Sequence, residues 1–281
     1  MTDVGFQSLA ATRFTGSQAL RRYVAPTLFK GLAAQWPAVQ RWDFSELAAR
    51  VPDLRVKLVA GNRETGNTHF IEASLRSYFE SLQYFDDPTR PALYLKEFDL
   101  LNAVPALRCD LKHAELFPAG VTRSLQSWIG PAGARTGLHY DYLNNLAVQI
   151  VGRKRFYLVR PGTVERLGAV ARKYDSWATL SMYGAKELAA LAGTPEDFFV
   201  VDLEPGDVLH VPAGWWHEVL NLTPGILFGG FYGSRPRVLA RWTWVCSRDW
   251  VHSLGWIGHG NCTCHANEPK PRKDARPDLY R

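Results

Sequence analysis

The chain has 281 residues, of which 46% are hydrophobic and 21% charged, a composition typical of a globular protein with a sizeable core. No apolar run approaches the roughly 20 residues that span a bilayer, and the first residues lack the basic and apolar regions of a secretory signal, so we expect a cytoplasmic protein without a membrane segment. The net charge of +6 permits an acidic or nucleic-acid partner without requiring one.

The first third of the chain has a mixed α/β pattern. Apolar residues recur at helical spacing in three stretches, with a Ser, Thr or Asp before the first two that can cap a helix. Two short runs have the composition of strands, and the first of them ends at a Gly-Asn turn signal. The predicted helices cover residues 17–24, 44–51 and 73–82, and the predicted strands cover 54–60 and 92–95.

From about Ser124 the pattern changes to short β runs separated by Gly and Pro. Many short strands with such turn residues between them predict a barrel or jelly roll. Helical inserts are predicted near residues 163–170 and 185–191, and a tryptophan-rich helix or helix pair over 238–256. The predicted strands of this part are 146–151, 155–159, 198–203, 207–211, 216–222 and 226–232.

Two segments of the barrel carry residues that bind metals. In the stretch Thr136-Gly-Leu-His139-Tyr-Asp141, the His and the Asp are two apart, so a strand points both to the same side. Downstream, the stretch 205–217 has the form strand, tight turn, strand, and its turn would aim His217 back into the barrel. Two imidazoles and one carboxylate on one face of an octahedral metal form the facial triad of non-haem Fe(II) oxygenases, which leaves positions open for a co-substrate and O2.

In combination, these motifs resemble the Jumonji-C, cupin-like family of Fe(II)- and 2-oxoglutarate-dependent hydroxylases. The similarity covers residues about 90–232 and the segment 24–42, and its densest matches are the stretches 136–155 and 206–217. The resemblance implies a mostly β fold with α additions, in which a double-stranded β-helix (a jelly-roll, cupin-like core) is flanked by N-terminal and C-terminal helices. It also implies a catalytic domain over residues 1–235, with its barrel core at about 124–232 and an N-terminal α/β elaboration before it. Residues 236–281 would form a C-terminal helical segment and a polar tail.

The resemblance also assigns roles to individual residues. It implies that His139, Asp141 and His217 bind the iron and are the catalytic residues. It implies that Thr136 and Lys154 bind the distal carboxylate of 2-oxoglutarate, with Tyr94 as a third partner. The resemblance also implies Asn145 near the metal-proximal end of the co-substrate. Trp128, eight residues before Thr136, either packs against the co-substrate or is an ordinary core residue.

Physical reasoning supports the role of Lys154, because a buried carboxylate needs a cation and Lys154 stands in an apolar strand pair. The alternative is that Arg153-Lys154-Arg155 is a solvated turn. One departure from the family concerns Gly230, which replaces an asparagine amide near the co-substrate and would leave extra room. Asn221 shares strand parity with His217, and it would either supply the missing amide or form a structural hydrogen bond.

The implied activity is that of a 2-oxoglutarate-dependent dioxygenase. With O2 and 2-oxoglutarate, it would hydroxylate a C–H bond of a peptide side chain and release succinate. Alternative substrates are a modified tRNA base, a free amino acid or a natural-product intermediate. An alternative of another class is a non-catalytic, cupin-like metal-binding module.

The C-terminal segment suggests an assembly. Read as a helix, it carries an apolar stripe, and its further tryptophans exceed what one face can bury. Because some members of the family pair through C-terminal helices, we expect a two-fold symmetric homodimer in which this segment meets its copy. The four cysteines predict no disulfide framework, and Cys262, Cys264 and His265 form either a metal knuckle or incidental thiols of a loose tail. The stripe consists of Val238, Leu239, Trp242, Val245 and Cys246, with Trp250 and Leu254 extending it.

Overall fold

The structure of the protein is a computed structural model that describes residues 5–62, 67–83, 92–174, 178–258 and 262. Short 3-10 helices cover Ser17–Arg22, Pro105–Asp110, His113–Leu116 and Pro195–Asp197. In chain order, the strands and α-helices are β1 (Gln7–Ser8), β2 (Thr27–Phe29), α1 (Pro37–Arg41), α2 (Phe44–Arg50), β3 (Arg55–Asn62), β4 (Asn67–Ser74), α3 (Leu75–Gln83), β5 (Leu95–Phe98), α4 (Leu100–Ala103), β6 (Val121–Gly130), β7 (Arg135–Asp141), β8 (Asn144–Val151), β9 (Lys154–Val159), α5 (Thr163–Arg166), β10 (Ala178–Leu180), α6 (Ala185–Ala192), β11 (Phe198–Leu203), β12 (Val208–Val211), β13 (Trp216–Asn221), β14 (Gly225–Ser234) and α7 (Arg235–Ser253).

Two six-stranded sheets face each other and form the barrel. Sheet A has the strand order β1-β11-β9-β13-β7-β10, and sheet B has the order β2-β12-β8-β14-β6-β5. From β6 to β9, and again from β11 to β14, successive strands alternate between the two sheets, so the chain winds around the barrel as a double-stranded β-helix. The predicted fold class, a jelly-roll core with helices at both ends of the chain, is therefore confirmed.

Apolar layers cover both sheets and fill one end of the space between them. The largest core lies between the outer face of sheet B and the N-terminal helices, where Leu47 of α2 and Phe79 of α3 join Val148 and Phe228 of the sheet. A second core lies between the sheets, and a third lies between the outer face of sheet A and helices α5 and α6. Because both faces of its central strands are covered, β8 is buried along almost its whole length.

The predicted elements differ from the observed ones mainly where distant pairing decides. The helix predicted over 73–82 begins only at Leu75, because Ala73 and Ser74 pair with β3 in a hairpin. The strand predicted over 92–95 runs instead from Leu95 to Phe98, where β6 provides its partner. The segment 17–24 forms a 3-10 helix over Ser17–Arg22.

Helix α7 carries less of a single stripe than its sequence predicts. Val245 is buried against the body of the protein, whereas Leu239, Trp242 and Trp250 are each more than half exposed. The predicted stripe is therefore divided between an inward and an outward face of the helix. The homodimer through this face stays a prediction, as does the division of the chain at residue 235. Among the described helices, none has the length and apolar character needed to cross a bilayer.

Candidate active site

The three predicted metal ligands meet between two neighbouring strands of sheet A. His139 of β7 and His217 of β13 are direct partners in the antiparallel ladder, with ring centroids 4.2 Å apart. Asp141 follows on the same face of β7, with its Oδ2 3.5 Å from His217 Nε2 and its Oδ1 4.0 Å from His139 Nε2. The tight turn before β13 is anchored to the same region, because the backbone N–H of Gly214 donates to the carbonyl of Asp141.

Backbone carbonyls orient both imidazoles. His139 Nδ1 lies 2.7 Å from the carbonyl oxygen of Gly137, and His217 Nδ1 lies 3.1 Å from that of Trp215. A carbonyl oxygen only accepts hydrogen bonds, so Nδ1 carries the proton, and in the neutral form of each ring Nε2 has the lone pair. Both lone pairs are therefore available on the side where Asp141 lies, the arrangement that metal-binding histidines use.

The electrostatics of the three side chains fit a cation. Burial lowers the pKa of His217 well below its ordinary value, so its imidazole is neutral at pH 7 and ready to coordinate. Burial also raises the pKa of Asp141 to about 6, with a further contribution from the charge of Glu97 and opposition from His139. The buried Oδ2 of Asp141 has no hydrogen-bond partner in the described part of the chain. Two imidazoles and a carboxylate are the donor set of a non-haem iron centre, so the residues fit Fe(II).

The triad stands in the wall of a cavity of about 460 Å³ inside the barrel. Within the described residues, it is the only group of three or more His, Cys, Asp or Glu side chains close enough to hold a metal. Of the nine residues predicted for the site, only Asn221 does not line this cavity. The eight that line it are Tyr94, Trp128, Thr136, His139, Asp141, Asn145, Lys154 and His217.

Lys154 is a fully buried cation at the first position of β9. Its Nζ donates to the hydroxyl of Tyr94 at 2.9 Å and to the carbonyl of Trp128 at 3.2 Å. In the described part of the chain no carboxylate forms an ion pair with it, and burial, aided by the charge of Lys96, holds its pKa well below the usual range. A buried ammonium without a counter-charge is costly. The solvated-turn alternative for Lys154 is therefore wrong, and the cavity offers a ready partner for a carboxylate.

A β-bulge brings Thr136 to the same face as His139. The two residues are three apart, which in a regular strand would place them on opposite faces. His217 pairs with His139 but Val219 pairs with Thr136, so β7 contains one residue more than β13 between these two pairs. The extra residue turns Thr136 into the cavity, where it lies with Lys154.

Asn221 has a structural hydrogen bond. It lies opposite Lys154 in the ladder of β9 and β13, and its Nδ2 donates to the carbonyl of Gly130 at 3.0 Å. The extra room expected at Gly230 is not present, because a Cβ there would meet the ring of Phe117 at 2.2 Å, outside the cavity. The position of β14 that faces the cavity is Gly229, and the ring of Trp128 occupies its space.

Several cavity residues were not predicted from the sequence. Ser124 and Gln126 share the inward face of β6 with Trp128, and Glu97 lines the cavity from β5. Period-two spacing from Trp128 was a usable signal for the first two, but polar residues on a strand usually indicate a solvent-facing side. The loop after β7, the segment before β10 and helix α7 also contribute to the wall, through Tyr142, Leu143, Lys173, Val238, Arg241 and Trp242.

Arg248 ties helix α7 to the cavity wall. Its guanidinium donates to the hydroxyl of Tyr142 at 2.8 Å and to the carbonyl of Tyr174 at 2.9 Å. The hydroxyl of Tyr142 also lies 2.9 Å from that of Thr179, and its ring packs edge-on against Trp244. Since Tyr142 directly follows Asp141, α7 is part of the construction of the site rather than an appendage.

Comparison with known proteins agrees with this geometry. A family model described as a cupin-like domain matches residues 16–237, well over half of the chain. The chain belongs to the cupin-like (JmjC) domain family. The match begins after β1 and ends within the first turn of α7, so it includes the strands β7, β9 and β13, which hold the triad and Lys154.

Curated proteins similar in sequence to this cupin-like protein come from animals and from a plant. It is 27% identical over 218 residues to Jumonji C domain-containing protein 5 of Drosophila melanogaster, covering 71% of this chain and 52% of that protein. It is 25% identical over 226 residues to lysine-specific demethylase JMJ30 of Arabidopsis thaliana, and the alignment covers 70% of this chain and 47% of that protein. It is 28% identical over 247 residues to an HSPB1-associated protein 1 homolog of Danio rerio, and the alignment covers 77% of this chain and 54% of that protein. The chain spans about half the length of these curated relatives.

Proposed function

We propose that the protein is an Fe(II)- and 2-oxoglutarate-dependent oxygenase that hydroxylates a C–H bond of a peptide side chain. The observation that carries this proposal is one cavity with two distinct anchors. At one anchor, His139, Asp141 and His217 present two lone pairs and a carboxylate to a metal. At the other, Lys154 presents a buried cation without an ion-pair partner among the described residues. A dicarboxylate that chelates a metal through one end and needs a cation at the other matches both.

In this proposal, one end of the cavity holds the metal. Bound iron with 2-oxoglutarate supplies O2 activation, which converts a substrate C–H to C–OH while 2-oxoglutarate becomes succinate and CO2. His139, Asp141 and His217 hold the ion, and the carbonyls of Gly137 and Trp215 keep the imidazoles in the coordinating tautomer.

The opposite end of the cavity binds and orients the co-substrate. Lys154 and Thr136 receive the distal carboxylate, and Tyr94 holds the ammonium of Lys154 in place. The arriving carboxylate supplies a counter-charge for this buried ammonium, which has no ion-pair partner among the described residues. The apolar walls around Trp128 and Phe231 exclude water from the reacting atoms.

A protein substrate is supported by two observations. Several relatives bear the name lysine-specific demethylase, which places protein side chains among the targets named for related chains. The cavity is also lined by Arg241 and Trp242 of α7, and Trp242 is half exposed, which suits contact with a chain longer than the reacting residue.

The proposal is tested by succinate formation from 2-oxoglutarate under air with Fe(II). Purified protein is given capped peptides, tRNA or free amino acids in parallel, and His217→Ala serves as the inactive control. We expect peptides to stimulate succinate formation and a peptide product to gain 16 Da, the mass of one oxygen atom, in about equal amount to the succinate. Stimulation by tRNA or free amino acids alone would refute the peptide assignment, and full turnover by His217→Ala would refute the metal site.

A further inference from the structure

Strand β5 contains a bulge beside the cavity. Leu95 pairs with Ile129 and Phe98 pairs with Ser127, so three steps along β5 match two steps along β6. At the bulge, Glu97 has φ +55°, and no other described residue except glycine has a positive φ. A glutamate rarely adopts this backbone conformation, and such strain persists where the surrounding structure demands it, most often at functional sites.

The bulge decides which charge enters the cavity. In a regular strand, the residue that follows Tyr94 on the same face is Lys96. Here Tyr94 and Glu97 line the cavity, although they are three apart, whereas Lys96 is not part of the cavity wall and stands beside the Tyr94 ring at 5.4 Å. The extra residue therefore presents a carboxylate where unbroken alternation would present an ammonium. Re-aiming a side chain in this way is a known use of bulges next to active sites.

The other charged groups on the cavity wall are cations or belong to the metal anchor. Asp141 belongs to the metal anchor and Lys154 to the co-substrate anchor. Lys173 and Arg241 line the cavity from the segment before β10 and from α7. Among the described lining residues, Glu97 is thus the only carboxylate outside the metal centre, and it is exposed enough to meet an incoming substrate.

We propose that Glu97 is a specificity-determining residue, aimed into the cavity by the β5 bulge, which selects substrates that carry a protonated amine or guanidinium. This inference rests on the proposed function, because it assigns the substrate class of the same cavity. A carboxylate accepts charge-assisted hydrogen bonds from such groups, and it loses them with a neutral group of the same shape.

Direct binding tests the inference without turnover. The full chain is loaded with Zn(II), which does not activate O2, and with 2-oxoglutarate. Capped Gly-Xaa-Gly peptides are then titrated by ligand-observed NMR, where Xaa is arginine or its neutral isostere citrulline, and lysine or norleucine. We expect the wild type to prefer the charged member of each pair by roughly ten- to hundredfold, the range of a hydrogen bond to a charged group.

Variants separate charge from backbone strain. Glu97→Gln should bring the preference close to one, whereas Glu97→Asp, which tolerates a positive φ better and keeps the charge, should retain part of it. Glu97→Gly removes the strain together with the carboxylate, so it should lose the preference without a fall in Tm. The exposed Glu196, which is not part of the cavity wall, provides the matched control, and Glu196→Gln should bind like the wild type.

The outcomes separate this inference from the proposed function. A wild type that does not distinguish arginine from citrulline or lysine from norleucine, or a Glu97→Gln variant that keeps the full preference, overturns the role of Glu97 whatever the turnover assay shows. Preference lost in Glu97→Gln supports the role even if no succinate forms. In that case the oxygenase proposal fails while the recognition of cationic groups stands.

Discussion

Replacing Lys154 by methionine tests the co-substrate end of the cavity most directly. Methionine has a similar length and fills the same space without a charge, so the substitution removes the ammonium and leaves little void. The structure predicts opposite effects of Lys154→Met on binding and on stability. The reason is that the buried charge of Lys154 destabilises the protein without a ligand but stabilises the complex once a carboxylate is bound.

The magnitude of the binding effect follows from the burial of Lys154. Its side chain is fully buried and Nζ has two neutral acceptors, Tyr94 Oη and the Trp128 carbonyl. Removing one partner from a buried ion pair costs about 3–5 kcal/mol, which weakens 2-oxoglutarate binding by roughly 10²- to 10⁴-fold. Thr136→Ala removes only a hydrogen bond to a charged group, about 1.5–3 kcal/mol.

The assay measures thermal unfolding and calorimetric binding with Mn(II) in place of iron, with and without 2-oxoglutarate. We expect 2-oxoglutarate to raise the Tm of the wild type but not that of Lys154→Met. Without 2-oxoglutarate, the variant should be at least as stable as the wild type, because it no longer buries a cation for which the described residues offer no ion-pair partner. Wild-type affinity for 2-oxoglutarate in Lys154→Met, or a large loss of stability in its absence, would refute the reasoning.

Three further predictions concern the metal, the pH dependence of stability and the assembly. His217→Ala should abolish Mn(II) binding in a calorimetric titration while its far-UV circular dichroism stays that of the wild type; retained binding would contradict the triad. Burial lowers the pKa of His210 from 6.5 to about 4, so between these values the unfolded chain binds more protons than the folded one. The contribution of His210 to the free energy of unfolding should therefore fall by about 3 kcal/mol as the pH drops through this window, and His210→Gln should remove that contribution from the pH profile of urea denaturation. If the free energy of unfolding of His210→Gln depended on pH as that of the wild type does, His210 would not be the cause of this dependence. By light scattering at micromolar concentration, the wild type should have a dimer mass and Trp250→Glu a monomer mass, because the exposed apolar face of α7 would gain a charge. A monomeric wild type would refute the predicted dimer.

The amino-acid sequence alone was sufficient to predict the fold class and the three candidate metal ligands that the fold brings together. The barrel followed from short apolar runs separated by Gly and Pro, because those residues end strands whatever their partners are. His139 and Asp141 were predictable as a pair because a separation of two needs only a regular strand between them. His217 followed from the tight turn at Pro212–Gly214, which is itself a local feature.

Other features depended on which strands pair and where their register shifts. The bulge in β7 turns Thr136 into the cavity, and that position was assigned from the family resemblance because period-two reasoning places it on the opposite face. The bulge in β5 turns Glu97 instead of Lys96 into the cavity, and no local sequence pattern predicts this bulge. Register shifts are set by a partner strand far away in the chain, so local propensity contains no record of them.

Tertiary structure also decided which polar residues are interior. Ser124 and Gln126 have the alternation of a solvent-facing strand, yet they line a cavity, because this face of β6 points to the inside of the barrel. Asn221 shares strand parity with His217, but the carbonyl of Gly130 takes its amide for a structural hydrogen bond. The contribution of α7 to the wall depends on Arg248 reaching Tyr142 across 106 positions of sequence. Such contacts arise from the packing of distant segments, which only the folded chain brings together.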